Sequence, residues 1–298
     1  MQNQTVSGRL EQLSKKENNA VVSEIIDCLS TQSFKGRLSA ETVEKLCQKF
    51  QLSKIELALQ CLSIASCYGL TPISNFNVGA VAIGASGVFY FGANQEYENV
   101  AIAQTVHAEQ SAISHAWHSN EKSITDIVVN YTPCGHCRQF LNELNVASNL
   151  KIHLPHSQNN LLHSYLPDSF GPKDLDISEL LFDHQDHQFE LANPEPIVQA
   201  ALKAFNHSHA PYSNTYCGVA LAFENGEIVT GRYIENAAFN PSFPPLQSAL
   251  NYRRLNGLSE EKISRIVMVE KQSGLSHKQV TETLAKAFLD IDVEYILI

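Results

Sequence analysis

Three short runs bring together residue types able to hold one metal ion: His107-Ala108-Glu109, then Pro133-Cys134, with Cys137 closing a Cys-x-x-Cys pair. One imidazole and two thiolates leave the fourth position of a tetrahedral zinc open to water, which marks a catalytic rather than a closed structural site. Two thiolates cancel the formal charge of Zn²⁺, so such a metal acidifies water less than a tris-histidine site does, and a dedicated proton acceptor is needed. Glu109, two residues from His107, is the candidate for that proton. Read alone, Cys-x-x-Cys also fits a redox dithiol or half of a Cys₄ zinc knuckle. The chain has no second Cys-x-x-Cys, and the upstream His-x-Glu argues against the redox reading. The bland reading of Glu109 is a first-turn helix glutamate favoured by the helix dipole, and its spacing from His107 makes that insufficient.

These residues need elements that aim them. A helix is expected from about Thr105 to Trp117, with His107 near its start, followed by a buried strand from Ile124 to Tyr131. A second helix begins at Cys134, so Cys134 and Cys137, at i and i+3, face the same way and meet the positive end of the helix dipole. That helical position points His136 away from the pair. Upstream, Val78 to Ile83 and Val88 to Phe91 read as strands joined by a turn at Gly84 to Gly87, and Leu150 to His153 as a further strand. Strands alternating with helices predict an α/β domain with helices on both faces of a mixed sheet. The first seventy residues read as helices: Ser53-Lys54-Ile55-Glu56 is a capping box, and Glu41 to Phe50 places Val43, Leu46, Cys47 and Phe50 on one face.

A second copy follows. Pro72-Ile73-Ser74-Asn75 is echoed by Pro211-Tyr212-Ser213-Asn214, Gly92 with Glu96 by Gly231 with Glu235, and Gln110-Ser111-Ala112 by Gln247-Ser248-Ala249. The offset is 139 residues at the first echo and 137 at the last, so a short deletion lies between. Where the first copy has His107-Ala108-Glu109, the second has Pro244-Pro245-Leu246, and Cys217 is the only cysteine of the second half. The second copy therefore keeps the fold without the metal, and one zinc per chain is expected. The divisions expected are a helical N-terminal segment over 1–70, a catalytic domain over 71–155, a connecting arm over 156–195 and a degenerate repeat over 196–298. The fold class is a duplicated three-layer α/β/α architecture.

Composition narrows the substrate. The 298 residues are 44% hydrophobic and 17% charged, with a formal net charge of −10. A polynucleotide-gripping protein usually carries a basic stripe; here Lys15-Lys16 and Arg253-Arg254 are isolated pairs. A small uncharged substrate is favoured, with no nucleic acid or membrane partner. No apolar stretch is long enough to span a bilayer, and Met1 to Thr5 lacks the pattern of a secretory leader. Five of the seven cysteines, Cys28, Cys47, Cys61, Cys67 and Cys217, are expected to sit reduced in apolar surroundings, consistent with the cytoplasm. His115 and His118 read as surface or packing residues. Asp183-His184, Asp186-His187, His207 and His209 read as solvated loop.

The H-x-E…P-C-x-x-C pattern is the known signature of zinc nucleobase deaminases. Beyond it, Ser74-Asn75-Phe76-Asn77-Val78-Gly79, Phe91-Gly92-Ala93-Asn94 with Glu96, Thr105 to Ala112 and Tyr131 to Cys137 make the chain resemble bacterial cytidine deaminases of the larger, homodimeric, two-repeat type. The resemblance implies hydrolytic deamination of cytidine and 2′-deoxycytidine with release of ammonia, as in pyrimidine salvage. It gives zinc to His107, Cys134 and Cys137, with Glu109 as catalytic proton shuttle for the zinc-activated water. Asn94 and Glu96 would hold the ribose hydroxyls, Phe76 would pack on the pyrimidine, and the backbones of Ala108 and Thr132 would read its O2 and amino group. Phe170, in Leu166 to Pro172, would close the site of the partner subunit. A polynucleotide or nucleotide (dCMP-type) deaminase is the alternative within enzymes, and a zinc-stabilised scaffold the alternative outside them.

Overall fold

The computed structural model describes residues 5–298. Met1 to Gln4, part of the expected N-terminal segment and of the leader reading, lie outside the described residues. Polar caps start the first helices. Thr5 Oγ1 accepts from Gly8 N ahead of α1 (Val6–Lys16), and Asn19 accepts from Val21 and Val22 ahead of α2 (Ala20–Ser30). A short strand β1 (Arg37–Leu38) precedes α3 (Ala40–Phe50), capped by Ser39. Then α4 (Lys54–Ser66) opens on the capping box expected at Ser53 and Glu56.

Two sheets follow. The first holds β2 (Gly79–Gly84), β3 (Phe89–Ala93), β4 (Ile124–Val129), β5 (Lys151–Leu154) and β6 (Ser157–Leu161), in the order β1-β3-β2-β4-β5-β6, with β4 and β5 parallel and the other neighbours antiparallel. Between its strands run α5 (Ala108–His118) and α6 (Gly135–Leu141), and after β6 a single turn, α7 (Leu162–Tyr165). The second sheet comprises β7 (Cys217–Phe223), β8 (Ile228–Arg232), β9 (Ile263–Glu270) and β10 (Val293–Leu297), in the order β10-β9-β7-β8. Its helices are α8 (Pro196–Asn206), α9 (Pro245–Leu255) and α10 (Lys278–Leu284). Both sheets are mixed, since β9 and β10 are parallel, and the expected duplicated α/β/α layering is present.

Strand alternation decides what each face covers. Val81 and Ile83 of β2 pack with α4, whereas Ala80 and Ala82 pack with α5. In the second sheet Ala220 packs with α8, and Val219 and Leu221 join Leu246 and Ala249 of α9. Helices α5 and α9 also meet each other, so the inner faces of both sheets share one core. Four glycines let helices sit directly on strands. A Cβ at Gly79 would lie 2.4 Å from Leu62 O and one at Gly218 2.4 Å from Ala201 O. At Gly92 and Gly231 it would lie 2.2 Å from the backbone nitrogens of Ala112 and Ala249. Each pair stands at the offset already read from the sequence.

Several expectations shift. Helix α4, read as part of a separate N-terminal addition, lies on the first sheet as α8 lies on the second. The motif helix starts at Ala108, because His107 is an extended N-cap with ψ of 155°. Strand β6 falls within the stretch expected as a connecting arm: Ser157, Gln158, Asn159 and Asn160 carry no apolar alternation, and as an edge strand they need none. His115 is a packing residue, fully buried with Nδ1 3.0 Å from Phe91 O. His209 is not solvated loop but fully buried, as described below.

Candidate active site

Two helix starts converge beyond the carboxyl end of β4. His107 is the N-cap of α5 and Cys134 the N-cap of α6, both with extended backbones. The positive ends of both helices therefore face the same point, which favours thiolate over thiol. His107 Nδ1 lies 3.5 Å from Cys134 Sγ, and the two sulfurs are 3.7 Å apart. Among the described residues, these three form the one cluster of His, Cys or acidic side chains suited to a metal, its donor atoms all within 4.8 Å of one another. A tetrahedral zinc with ordinary bond lengths separates two sulfurs by about 3.8 Å and a sulfur from a nitrogen by about 3.6 Å. The donor set fits zinc in type and spacing.

The charges agree with a cation site. Hydrogen bonds from Cys137 and His107 pull the Cys134 thiol down to about 3, so the sulfur pair holds negative charge there. The same Cys134 hydrogen bond raises His107. Glu109 is 4% exposed, and burial raises its carboxyl above the usual range against the opposing hydrogen bond to Cys137. It is thus a water-excluded carboxyl beside the donor set, the environment a proton shuttle needs.

The remaining expected residues make contacts of their own. Glu96 is buried, and its Oε2 accepts from Ile73 N at 3.0 Å and Ser74 N at 2.9 Å while Oε1 accepts from Ser74 Oγ. Asn94 accepts from Val78 N at 2.9 Å and donates to Phe76 O at 2.8 Å. Both side chains therefore suspend the 71–78 loop from the end of β3, in addition to any ligand contact. Phe76 is half exposed and lies against Tyr131, ring centroids 4.7 Å apart. Ala108 opens α5, where a backbone N–H lacks an intrahelical acceptor, and Thr132 is exposed just before Pro133. Phe170 projects a half-exposed ring while its carbonyl accepts from Gln139 Nε2 and Asn142 Nδ2 of the same chain.

Two contacts escaped the sequence reading. His136, expected to point away, stacks on His107 with centroids 4.7 Å apart, because α5 delivers His107 from a different direction than the α6 helical wheel considers. Its Nε2 is buried without a partner. Tyr131 joins Phe76 through a loop fold that no local pattern encodes. The His184 and His187 stretch contributes no metal cluster among the described residues; His187 instead stacks on Tyr216 and bonds to Ser208 O.

Two family models, both described as the cytidine and deoxycytidylate deaminase zinc-binding region, match residues 52–151 and 162–282. The chain belongs to this deaminase family. Zinc is its metal, held by the family's zinc-binding region. A cytidine deaminase from Actinobacillus succinogenes is 56% identical over 293 residues, covering 98% of this chain and 99% of that protein. One from Mannheimia succiniciproducens is 56% identical over 99% of both chains. A third, from Actinobacillus pleuropneumoniae serotype 5b, is 59% identical over 97% of this chain and 96% of its own length. The chain is a two-repeat member of the family, and no described helix is long and apolar enough to cross a membrane.

Proposed function

We propose that the chain hydrolyses cytidine and 2′-deoxycytidine to the uridines and ammonia, a step of pyrimidine salvage. The observation that carries this reading is the buried Glu109 carboxyl beside a His–Cys–Cys donor set of zinc spacing. When bound, zinc supplies Lewis acidity that prepares water for attack on C4 of the base. Glu109 takes a proton from that water and gives one to the ring nitrogen N3, then delivers a proton to the departing amine. Its burial keeps solvent from intercepting these transfers. Phe76, with Tyr131 behind it, offers an aromatic wall for the ring.

The Ala108 N–H and the Thr132 backbone are assigned to O2 and the amino group, and Asn94 and Glu96 to the ribose hydroxyls. Each of the last two retains acceptor or donor capacity beyond its loop contacts. Phe170 is assigned to the site of a partner subunit in a cytoplasmic homodimer; its exposed ring on a backbone anchored at Gln139 and Asn142 supports that role. We place the catalytic repeat from α4 through β6 and the degenerate repeat from α8 onward. Helices α1 to α3 are then an addition, and the arm runs from α7 to α8.

Ultraviolet-monitored turnover of cytidine, deoxycytidine, dCMP, cytosine and adenosine, with zinc counted on the same sample, tests this. Cytidine and deoxycytidine are expected to be the preferred substrates with one zinc per chain. Faster turnover of dCMP would sink the nucleoside reading.

A further inference from the structure

The 71–77 loop forms one wall of a cavity of about 390 Å³ whose other side is α1 and the end of α9. Arg9, Lys16 and Arg254 line it, and among the described residues none of the three has an ion-pair partner. Arg9 donates to Gly69 O at 2.6 Å, Ser66 O at 3.1 Å and Asn77 Oδ1 at 2.9 Å. Arg254 donates to Tyr68 O and, at 2.9 Å, to the same Gly69 O. A guanidinium carries five N–H donors, so both keep some unused. Two cations on one carbonyl repel each other. Burial first, then the charge of Arg9, lower Arg254 to about 10; the opposing influence of Glu260 is weaker.

The second repeat supplies a control within the molecule. Its equivalent cavity, about 170 Å³, is walled by Ala210, Pro211, Asn214 and Tyr216, which stand at the repeat offset from Thr71, Pro72, Asn75 and Asn77. The connecting arm takes the place of α1 there, and its contribution is acidic: Asp176 and Glu179. The fold thus provides the groove twice, and only the one walled by the 71–77 loop is lined with arginine and lysine, brought there by α1 and α9, in a chain of net charge −10.

We propose that the Arg9–Lys16–Arg254 cavity binds an oligophosphate, free or carried on a nucleotide, beside the loop that bears Phe76. Paired guanidiniums with spare donors match phosphate oxygens, and an anion between them removes their mutual repulsion. The site is separate from the zinc centre and does not depend on the assignment of the nucleoside substrate.

Calorimetric titration of the zinc-loaded full chain with pyrophosphate, at constant ionic strength, is expected to show one site per chain and a rise in Tm at saturation. K16E leaves the backbone contacts of both arginines intact and is expected to weaken binding about tenfold, the scale of one charge-assisted hydrogen bond. Arg9→Gln should weaken it further, and if that variant fails to fold, K16E decides alone. Cytidine 5′-triphosphate forms the second arm: tighter binding than pyrophosphate identifies a nucleotide ligand, and equal binding identifies the phosphates alone. A wild-type chain silent to both, or a K16E chain that binds as well as wild type, overturns the proposal.

Discussion

Glu96 and Glu235 sit at the same place in the two repeats and accept the same pair of backbone amides, from Ile73 and Ser74 in one and from Tyr212 and Ser213 in the other. A short way downstream the repeats part company. His107 and Glu109 give way to Pro244 and Leu246, and an extended residue still caps each helix, now with proline leading α9. The frame that aims the site has therefore been kept where the chemistry was lost. Loop suspension by Glu96 is a property of the fold, and a ligand contact made by the same carboxylate is an addition to it. Asn94, by contrast, has Tyr233 as its counterpart at the offset of Glu96 and Glu235, so its amide belongs to the catalytic repeat alone.

The sharpest way to break that comparison is at Glu109. Glu109→Gln is expected to lower kcat by about 10³-fold with zinc content and unfolding midpoint unchanged. Leu246→Glu, its counterpart, is expected to create no activity. A loss of less than about tenfold in the first variant removes Glu109 from proton transfer.

Packing is next in size. Gly92→Ala and Gly231→Ala each force a methyl group to 2.2 Å from a helix backbone nitrogen, and each is expected to cost about 3 kcal/mol in denaturant unfolding. Similar losses in both repeats support a shared frame. If either variant unfolds like wild type, helix and strand separate more easily than the close approach implies.

Smallest in stability is the Glu96→Gln and Glu235→Gln pair. Each weakens a buried acceptor of two amides, with an expected loss of about 2 kcal/mol. Only Glu96→Gln is expected to raise KM for cytidine. Equal kinetic effects would show that Glu96 acts through the loop and not through the nucleoside.

How much of this was written locally explains what could be read early. The zinc ligands are legible because each ligand's spacing is set by a single helix start, and the capping box at Ser53 because it spans only four residues, Ser53 to Glu56. The duplication is legible where both copies need the same residue for the same backbone reason, as at Gly79 and Gly218 or Glu96 and Glu235. Equivalence of α4 with α8 was hidden, since covering a sheet face asks only for apolar residues of suitable size. The His136 stack and the burial of His209 depend on elements far apart in sequence, and no local pattern announces either. A polar edge strand such as β6 is silent for the opposite reason: its solvent-facing residues are free to vary.

Glu143 carries a consequence of another kind. It belongs to the first repeat, is fully buried, and accepts from Tyr212 Oη at 2.5 Å and Ala237 N at 3.1 Å of the second, with His209 Nε2 at 3.2 Å and Gln185 of the arm on the far side of that imidazole. Separating the halves would take the Tyr212, Ala237 and His209 contacts from the Glu143 carboxylate and leave the tyrosine, the histidine and the amide without it. Two repeats joined in this way cannot part without breaking these contacts. A gene split at the arm would yield halves that must find each other before either is whole, so the silent repeat persists as a permanent subunit of its twin.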